Sequence, residues 1–362
     1  MIPVVKPLLD EEEIKKVSEV LTSGLLASGE VVHQFEAAFA AYIGTQSAVT
    51  TTNGTTALDI ALKILGIQPS DEVIVPDFTF IAPANAVLFQ NARPVFADVD
   101  EKTFAIDPAE VVEKINARTK AVIGVHLFGH PFDVKVLQEI CEDHSLFLVE
   151  DCAQAHGAEY KGQKVGSFGA VGCFSFYATK NMTTGEGGMV TTDTKELEKK
   201  LRLIINHGQS EKYLHSSLGY NYRMTNIQAA IGLAQLRKLD DFNTRRIANA
   251  EYLDQGLNGP IQKPYREKNF KHVYHQYVVK LEEDFPMRRD DFIRYLSDHA
   301  IGSAVHYPLP VHRQPLYQQL GYEINQCPTA TRLADIVVSL PVHPALTQTD
   351  LAYICDILNK VS

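Results

Sequence analysis

The segment FSFYATKNMTTGEGG, residues 174–188, contains a single amine, that of Lys180, between an apolar aromatic run and a cluster of glycines. Most lysines are solvated surface charges, but no helical charge pattern surrounds this one. A lysine amine becomes a nucleophile towards aldehydes when its surroundings lower its pKa. Glycines let a ligand approach the backbone closely. The segment therefore favours covalent chemistry at Lys180.

The carboxylate of Asp151 ends the mostly apolar run LFLVED, residues 146–151, with Gln154 and His156 just beyond it. Ligands of open α/β sheets bind beyond the carboxyl ends of the strands, where this carboxylate can face a cationic ring nitrogen. A structural alternative is an N-cap for the segment that follows. The local sequence leaves both open.

The stretch TTNGTTAL, residues 51–58, places Gly54 and the hydroxyls of Thr55 and Thr56 between a predicted strand and a predicted helix. Backbone N–H groups and the positive end of a helix dipole make such a turn an anion site. An ordinary capped helix explains the same residues. Ser175 adds a further hydroxyl at the end of the aromatic run.

These residues together match the needs of one cofactor. An enzyme that uses pyridoxal 5′-phosphate (PLP) needs a lysine for the aldehyde, a carboxylate for the ring nitrogen and donors for the phosphate. Lys180, Asp151 and the three hydroxyls supply one of each. The combination is more specific than any of its parts, so the sequence predicts PLP as the cofactor.

The first half of the chain alternates short apolar runs with amphipathic stretches of helical length. Strands are predicted over residues 47–51, 72–76, 94–99, 121–126 and 146–151, with helices between them. Apolar strands that alternate with helices indicate a mostly parallel sheet covered on both faces. This sheet would bring the ends of its strands, and the residues above, to one edge.

The second half of the chain has a different pattern of predicted helices and strands. A charged helix is predicted over 195–208, ending at Gly208, and Thr225 with Gln228 forms a capping box that opens a long helix. Further elements are predicted as a strand over 275–281, a helix over 288–299, a strand over 303–307 and two final helices. We predict a large domain over 1–240 and a small α+β domain over 241–362.

Composition excludes several classes of protein. The 362 residues carry a net charge of -10 and no Lys/Arg-rich run, which argues against nucleic-acid binding. A signal peptide and an apolar run long enough to span a bilayer are both lacking, so a cytoplasmic protein is expected. Five cysteines without a CxxC pair predict buried free thiols: Cys141, Cys152, Cys173, Cys327 and Cys355.

Competing motifs fail on spacing. The glycines of residues 166–172 do not match a dinucleotide fingerprint, and there is no Walker A or G-x-S-x-G motif. His126 and His130 lack a nearby third ligand, so we expect core or pocket residues there and no metal site.

The chain resembles the nucleotide-sugar aminotransferases of the DegT/DnrJ/EryC1/StrS family. The resemblance covers nearly the whole chain in ordered blocks: IPVVKPLLDEEEIKKVSEVLTSG, EDCAQAHGAEYKGQKVGSFG, FSFYATKNMTTGEGGMV, HYPLPVHRQPLY and SLPVHP. It implies the PLP-dependent transferase fold type I, an α/β fold with a mostly parallel seven-stranded sheet in the large domain and a smaller C-terminal α+β domain.

The resemblance also implies roles for individual residues. Lys180 would hold PLP covalently and move protons, and Asp151 would pair with the ring nitrogen. Gln154 would lie near the phenolic oxygen of the ring, and Phe80 would stack on its face.

Phosphate and substrate contacts are implied in the same way. The phosphate would lie among Thr55, Thr56 and Ser175, and Asn221 would reach it from the neighbouring subunit, which makes a homodimer with shared active sites. The HYPLPVH segment resembles a substrate-side loop, although proline ending a strand also explains it. The substrate contacts implied or considered are Tyr177, His306, Tyr307, His312, Arg223 and Arg313.

The implied reaction moves an amino group from an amino acid, usually L-glutamate in this family, to a keto group of a nucleotide-linked sugar, for surface polysaccharide or related amino-sugar biosynthesis. Three alternatives stay open: a PLP-binding regulator without turnover, a PLP-dependent sugar dehydratase and a cyclitol transaminase. Dehydratases of this family carry histidine where this chain keeps Lys180, which disfavours the second. The sequence leaves the sugar carbon, the nucleotide, the amino donor and the glycan pathway open.

Overall fold

A seven-stranded sheet forms the centre of the first half of the chain, in a computed structural model that describes residues 1–361. In chain order the strands are β1 (Ser47–Thr51), β2 (Glu72–Pro76), β3 (Arg93–Ala97), β4 (Thr119–Val125), β5 (Phe147–Asp151), β6 (Glu159–Tyr160), β7 (Gln163–Lys164), β8 (Val171–Ser175), β9 (Gly188–Thr192), β10 (Gln209–Glu211), β11 (Leu214–His215), β12 (Ile261–Gln262), β13 (Phe270–Lys271), β14 (Tyr277–Leu281) and β15 (Val337–Leu340).

The helices surround this sheet and build the second half of the chain. They are α1 (Glu11–Ser23), α2 (Glu30–Ile43), α3 (Gly54–Ile64), α4 (Ala82–Phe89), α5 (Pro108–Lys114), α6 (Val134–Asp143), α7 (Lys195–Ile205), α8 (Asn226–Gly256), α9 (Arg289–Asp298), α10 (Pro315–Gln319), α11 (Pro328–Ile336) and α12 (Gln348–Asn359), with short 3₁₀ turns over Leu127–Gly129 and Val311–Arg313.

The strand order of the large sheet is β1-β9-β8-β5-β4-β2-β3. Strands β3, β2, β4, β5 and β8 pair in parallel, and β9 runs antiparallel between β8 and β1. The prediction of a mostly parallel sheet is confirmed. Since β1, β5 and β8 point the same way, their carboxyl ends meet at one edge of the sheet.

The periodicity of the sequence explains these elements. Every residue of β2 is buried, as expected of a strand covered on both faces. In α6 the buried residues Val134, Leu137 and Cys141 recur at helical spacing, so this helix covers the sheet with one apolar face. Burial of such faces is the main force that holds the layers together.

Helix α8, 31 residues long, connects the two halves of the chain. It begins at the predicted capping box, in which the Thr225 side chain accepts a hydrogen bond from the backbone of Gln228 and the Gln228 side chain accepts one in return. The helix packs against α1, α2 and α12. The predicted boundary near residue 240 lies inside this helix, and the division into two domains stays a prediction.

Three predictions for the second half are wrong. Helix α7 ends at Ile205 because His207 and Gly208 adopt left-handed φ angles of 56° and 64°. No strand forms over 303–307, where Ala304 alone bridges to Ser339 at the outer edge of β15. A strand and three helices, β15 with α10, α11 and α12, follow where two helices are predicted.

The remaining predictions about the described residues concern thiols and membrane spans. All five cysteines are free and buried, as predicted. Within residues 1–361, no helix combines the length and apolar character that a membrane crossing requires.

Candidate active site

The turn between β1 and α3 has free backbone donors. Asn53 caps α3: its Oδ1 accepts the Thr56 N–H at 2.9 Å, and the Thr56 hydroxyl accepts the Asn53 N–H at 3.1 Å. Within residues 1–361 the N–H groups of Gly54 and Thr55 have no partner, as usual for a first helical turn. The explanation as a capped helix is confirmed, and the unpaired N–H groups leave anion binding at this turn a prediction.

Ser175, at the end of β8, lies against the same helix start. A Cβ atom on Gly54 would stand 2.6 Å from the Ser175 Cβ, closer than any real packing contact. Only glycine permits this approach, which brings the Ser175 hydroxyl to the first turn of α3. The three hydroxyl residues predicted to bind phosphate, Thr55, Thr56 and Ser175, thus lie at one helix N-terminus.

Asp151 ends β5 in a buried position at the same edge. Its Oδ1 accepts the Ala153 N–H at 2.9 Å. Burial raises the pKa of the Asp151 carboxyl, because the charged form loses its hydration, and the nearby Lys180 ammonium opposes that rise. A cationic partner is what this carboxylate needs in order to stay ionised.

Lys180 follows β8 in a tight turn, where its N–H donates to the Tyr177 carbonyl at 2.9 Å. Withdrawal from water lowers the pKa of Lys180 to about 8, with Asp151 pulling in the opposite direction. A lysine with this pKa carries more neutral amine near neutral pH than an ordinary lysine with a pKa of 10.5, as the prediction of a nucleophilic amine requires.

Gln154 connects two segments of the site. Its Oε1 accepts the Phe128 N–H at 2.9 Å, and its Nε2 donates to the Tyr307 hydroxyl at 2.9 Å. The Tyr307 ring stands 6.1 Å from that of Phe80, which is 53% exposed and free to cover a ligand. Gln154, Tyr307 and Phe80 are therefore brought together, although they come from distant parts of the sequence.

His306 and Tyr177 lie near this group. The His306 Nδ1 lies 2.8 Å from the Ser339 hydroxyl, and burial together with the Lys180 charge lowers the pKa of His306 to about 4. Tyr177 is 46% exposed and its backbone bridges to Gly185. Tyr177 lies in the same turn as Lys180, and His306 is close enough to the Lys180 amine for its charge to act on the imidazole.

His312 differs from its neighbours in the HYPLPVH segment. Its side chain is fully buried, with Nδ1 2.5 Å from Asp77 Oδ2 and Nε2 3.1 Å from the Ile324 carbonyl. Neither ring nitrogen is left for a ligand. The interpretation of His312 as a substrate contact is contradicted, because the buried imidazole contacts the Asp77 carboxylate and the Ile324 carbonyl. The contact with Asp77 packs this segment against the end of β2.

The two arginines and Asn221 have their described contacts with residues outside the Lys180 cluster. Arg223 Nη1 donates to Asn206 Oδ1 at 2.6 Å, and Arg313 Nε donates to the Ile324 carbonyl at 3.3 Å. Asn221 is exposed and bridges through its backbone to Asn206. In a single chain these residues form no part of the Lys180 cluster.

His126 is a core residue. It stacks on Phe132 with ring centroids 4.1 Å apart, and its Nε2 lies 3.1 Å from Glu150 Oε2. The Phe132 N–H donates to Nδ1 at 3.3 Å, so the proton is on Nε2 and donates to Glu150. His130 is buried as well, with a pKa lowered to about 4 by burial.

A comparison of the sequence with known protein families agrees with this geometry. Residues 7–359 match the sequence profile of the DegT/DnrJ/EryC1/StrS aminotransferase family. The chain belongs to this family. This membership and the relatives below make the chain a sugar aminotransferase.

Two curated relatives of the family extend over nearly the whole chain. GDP-perosamine synthase of Escherichia coli O157:H7 is 40% identical over 99% of this chain and 98% of its own length. The UDP-N-acetyl-3-dehydro-alpha-D-glucosamine 3-aminotransferase of Acidithiobacillus ferrooxidans is 40% identical over 97% of this chain and 94% of its own.

A solved structure supports the fold. The PLP form of Spr1654 from Streptococcus pneumoniae superposes with a TM-score of 0.95 at 29% identity, covering 99% of this chain and 98% of that one. The predicted fold class is confirmed. The donors of this chain fit PLP, since an amine of lowered pKa, a buried carboxylate and a helix start that only glycine can form lie at one sheet edge.

Sequence reasoning missed one part of this site. Asn243 and His275 form buried hydrogen bonds with Asn181, the residue after Lys180. Asn181 adjoins the lysine in the SFYATKN motif, which was the available signal. Nothing local marks the other two.

Proposed function

We propose that this chain transfers an amino group from L-glutamate to a keto group of a nucleotide-linked sugar, in amino-sugar or surface polysaccharide biosynthesis. PLP is the cofactor. The observation that carries the proposal is the amine of Lys180, with a pKa of about 8, beside the buried Asp151 carboxylate at the edge where strands of the sheet end. The relatives named for GDP- and UDP-linked sugars support the substrate class.

Proton transfer is the task of Lys180. When bound, PLP supplies an electron sink that makes the proton on the amine-bearing carbon acidic. The neutral Nζ of Lys180 accepts that proton, and the resulting ammonium returns it at the neighbouring position. An amine with a pKa of about 8 serves both directions near neutral pH.

The other residues hold the ring in place. The Asp151 carboxylate would accept a hydrogen bond from the protonated ring nitrogen of PLP, whose positive charge would keep this buried carboxylate ionised. Gln154 would contact the phenolic oxygen of the ring, and Phe80 would stack on the ring. The first turn of α3, with the hydroxyls of Thr55 and Thr56, would bind the phosphate.

The sugar lies on the side of Tyr177, His306 and Tyr307. These residues carry aromatic rings and hydrogen-bonding groups near Lys180, which suits a polar ring with several hydroxyls. Arg223 and Arg313 stand farther out and are suited to the phosphates of the nucleotide.

A homodimer with shared active sites is part of the proposal. Asn221 is exposed, and the nearby hairpin β10–β11 with its flank exposes large apolar side chains. These are Tyr213, Leu214 and Leu218. Contact with a second copy buries them and carries Asn221 to the phosphate of the partner's site. A cytoplasmic location, consistent with five free thiols, completes the proposal.

The experiment follows both half-reactions. The wild-type protein, loaded with PLP, is given L-glutamate alone, and 2-oxoglutarate is expected in an amount equal to the bound cofactor. Turnover beyond that amount is expected only with a 3-keto or 4-keto sugar linked to UDP, GDP or dTDP. Lys180→Ala should lose both steps, with activity down at least roughly 10³-fold.

Lys280→Ala is the matched control. Lys280 is also a buried lysine, but its Nζ donates to the Glu101 carbonyl at 2.8 Å, away from the site. Its loss should leave both steps intact. Glutamate that never yields 2-oxoglutarate would favour the regulator or another amino donor, a sugar released without amine would favour the dehydratase, and turnover only with a keto-cyclitol would favour the cyclitol transaminase.

A further inference from the structure

The amide of Asn181, the residue after Lys180, is buried and fully engaged. Its Nδ2 donates to Asn243 Oδ1 at 2.8 Å and to the Val273 carbonyl at 3.0 Å. Its Oδ1 lies 3.3 Å from His275 Nδ1. Because both partners of Nδ2 are acceptors, the orientation of this amide is determined, and His275 must carry its proton on Nδ1.

Asn243, on α8, extends the connection. It is completely buried, and its Nδ2 donates to the His156 carbonyl at 2.8 Å. The next residue, Gly157, has a φ of 76°, and a Cβ atom there would stand 2.8 Å from Asn243 Nδ2. The backbone turn that follows Asp151 is thus packed directly onto the asparagine pair.

Three segments therefore meet at Asn181 and Asn243. They are the loop that carries Lys180, the turn after Asp151, and the segment between β13 and β14 that contains Val273. Two other hydrogen bonds of α8 side chains reach the Lys180 loop: the Thr183 N–H donates to Gln235 Oε1 at 3.4 Å, and Gln228 Nε2 donates to the Glu186 carbonyl at 2.8 Å. Of these contacts, only the asparagine pair involves the residue next to the lysine. A displacement of about 1 Å at a reacting group is enough to cost roughly 10²-fold in rate.

We infer that Asn181 is a positioning residue, which holds the backbone of Lys180 at a fixed separation from the turn after Asp151 and sets the tautomer of His275. The inference rests on the proposed role of Lys180. It adds a residue that touches neither cofactor nor substrate and acts through the lysine beside it.

The groups around Lys180 make it possible to separate an effect of Asn181 on the position of the lysine from an effect on its electrostatic surroundings. The titratable groups that face it are Asp151 on β5, His156 in the following turn, His275 before β14 and His306 in the segment after α9. Burial lowers the pKa of all three histidines, so they are neutral near pH 7. Removing the neutral Asn181 amide changes none of these charges directly.

The test compares Asn181→Ala with Asn249→Ala. Asn249 is a buried asparagine on the same helix as Asn243, and its Nδ2 donates to the His343 and Val342 carbonyls at 3.0 and 3.4 Å, away from Lys180. Both variants lose one amide that donates to two acceptors. They should therefore lose similar thermal stability.

Only Asn181→Ala should change the cofactor site. We expect PLP to bind on the order of 10 to 100 times more weakly, and the pH midpoint of the visible absorbance of bound PLP to shift. Asn249→Ala should keep the wild-type affinity and midpoint. If Asn181→Ala does not fold, Asn243→Ser breaks the same bond from α8, leaves the Lys180 loop unchanged in sequence, and should give the same shift.

Two results are decisive. Wild-type affinity and midpoint in the Asn181→Ala protein, or in Asn243→Ser where that variant is used, would overturn the inference and leave Asn181 a structural residue. A wild-type protein that binds no PLP at Lys180 would instead refute the proposed function, whatever the variants do.

Discussion

Glu150 and Asp151 are adjacent buried carboxylates on β5 that face opposite sides of the sheet, and their surroundings differ sharply. Glu150 accepts three backbone N–H groups, from Gly166, Phe168 and Gly169, and the Nε2–H of His126. Asp151 accepts one backbone N–H and otherwise faces Lys180.

The difference separates a structural region from a reactive one. Around Glu150 every oxygen is used, and the loop at residues 166–169 is closed onto β5. Around Asp151, unused donors remain at the start of α3, beside an amine of lowered pKa. Buried or half-buried polar groups without partners are costly, so a site that keeps several of them is built for a ligand.

Asp151→Asn gives the largest expected effect and tests the reactive side. The side chain keeps its size but loses the charge that holds the proton on the ring nitrogen. We expect kcat with L-glutamate to fall by roughly 10² to 10³-fold, as for loss of one preorganised electrostatic partner. Thermal unfolding should be nearly unchanged or shifted upwards, because burying that charge is costly. Unaltered kcat would show that the carboxylates are not functionally distinct.

Glu150→Gln gives a smaller effect and tests the structural side. A side-chain NH₂ group would face the N–H groups of the 166–169 loop, and lost acceptors leave those buried donors unpaired. We expect the free energy of unfolding to fall by about 1–3 kcal/mol, measured in urea. The folded fraction should keep its kcat. A loss of kcat without loss of stability would contradict the comparison.

The smallest expected effect concerns the pH dependence of Lys180. Because the pKa of this amine is lowered, the neutral form appears as pH rises through about 8 instead of its ordinary 10.5. The rate at which the apo-protein captures PLP should rise with that midpoint. Asp151→Asn removes a nearby anion and should move the midpoint lower, whereas Glu150→Gln should leave it in place. Equal midpoints in both variants would show that Asp151 does not act on the lysine.

The first half of the fold was predictable because its signals are local. The runs that form β1 and β2 are short, rich in β-branched residues and bounded by turns, and their ends agree with the structure. The second half depends on competition between segments. Residues 303–307 have strand composition, yet β15, a short run directly after α11, pairs with β14, and residues 303–307 contribute only the bridge from Ala304 to Ser339.

The residues of the candidate site also divide into those with local sequence signals and those placed by distant contacts. Lys180 and Asp151 could be paired from sequence because each stands at the end of an apolar run and parallel strands align those ends. His312 could not be assigned correctly, since its burial depends on Asp77, 235 residues away in the chain. The contact between Asn181 and Asn243 spans 62 residues and leaves no periodic pattern.

The buried thiols of Cys152 and Cys173 allow the opening of the strands at this sheet edge to be measured. Cys152 follows Asp151, and Cys173 lies opposite Asp151 on β8, with the Cys152 N–H donating to the Cys173 carbonyl at 2.8 Å. Burial raises the pKa of both thiols well above the ordinary value, so alkylating reagents find neither access nor thiolate while the strands stay paired. The rate at which these cysteines are alkylated in the native protein therefore measures how often strands β5 and β8 open locally.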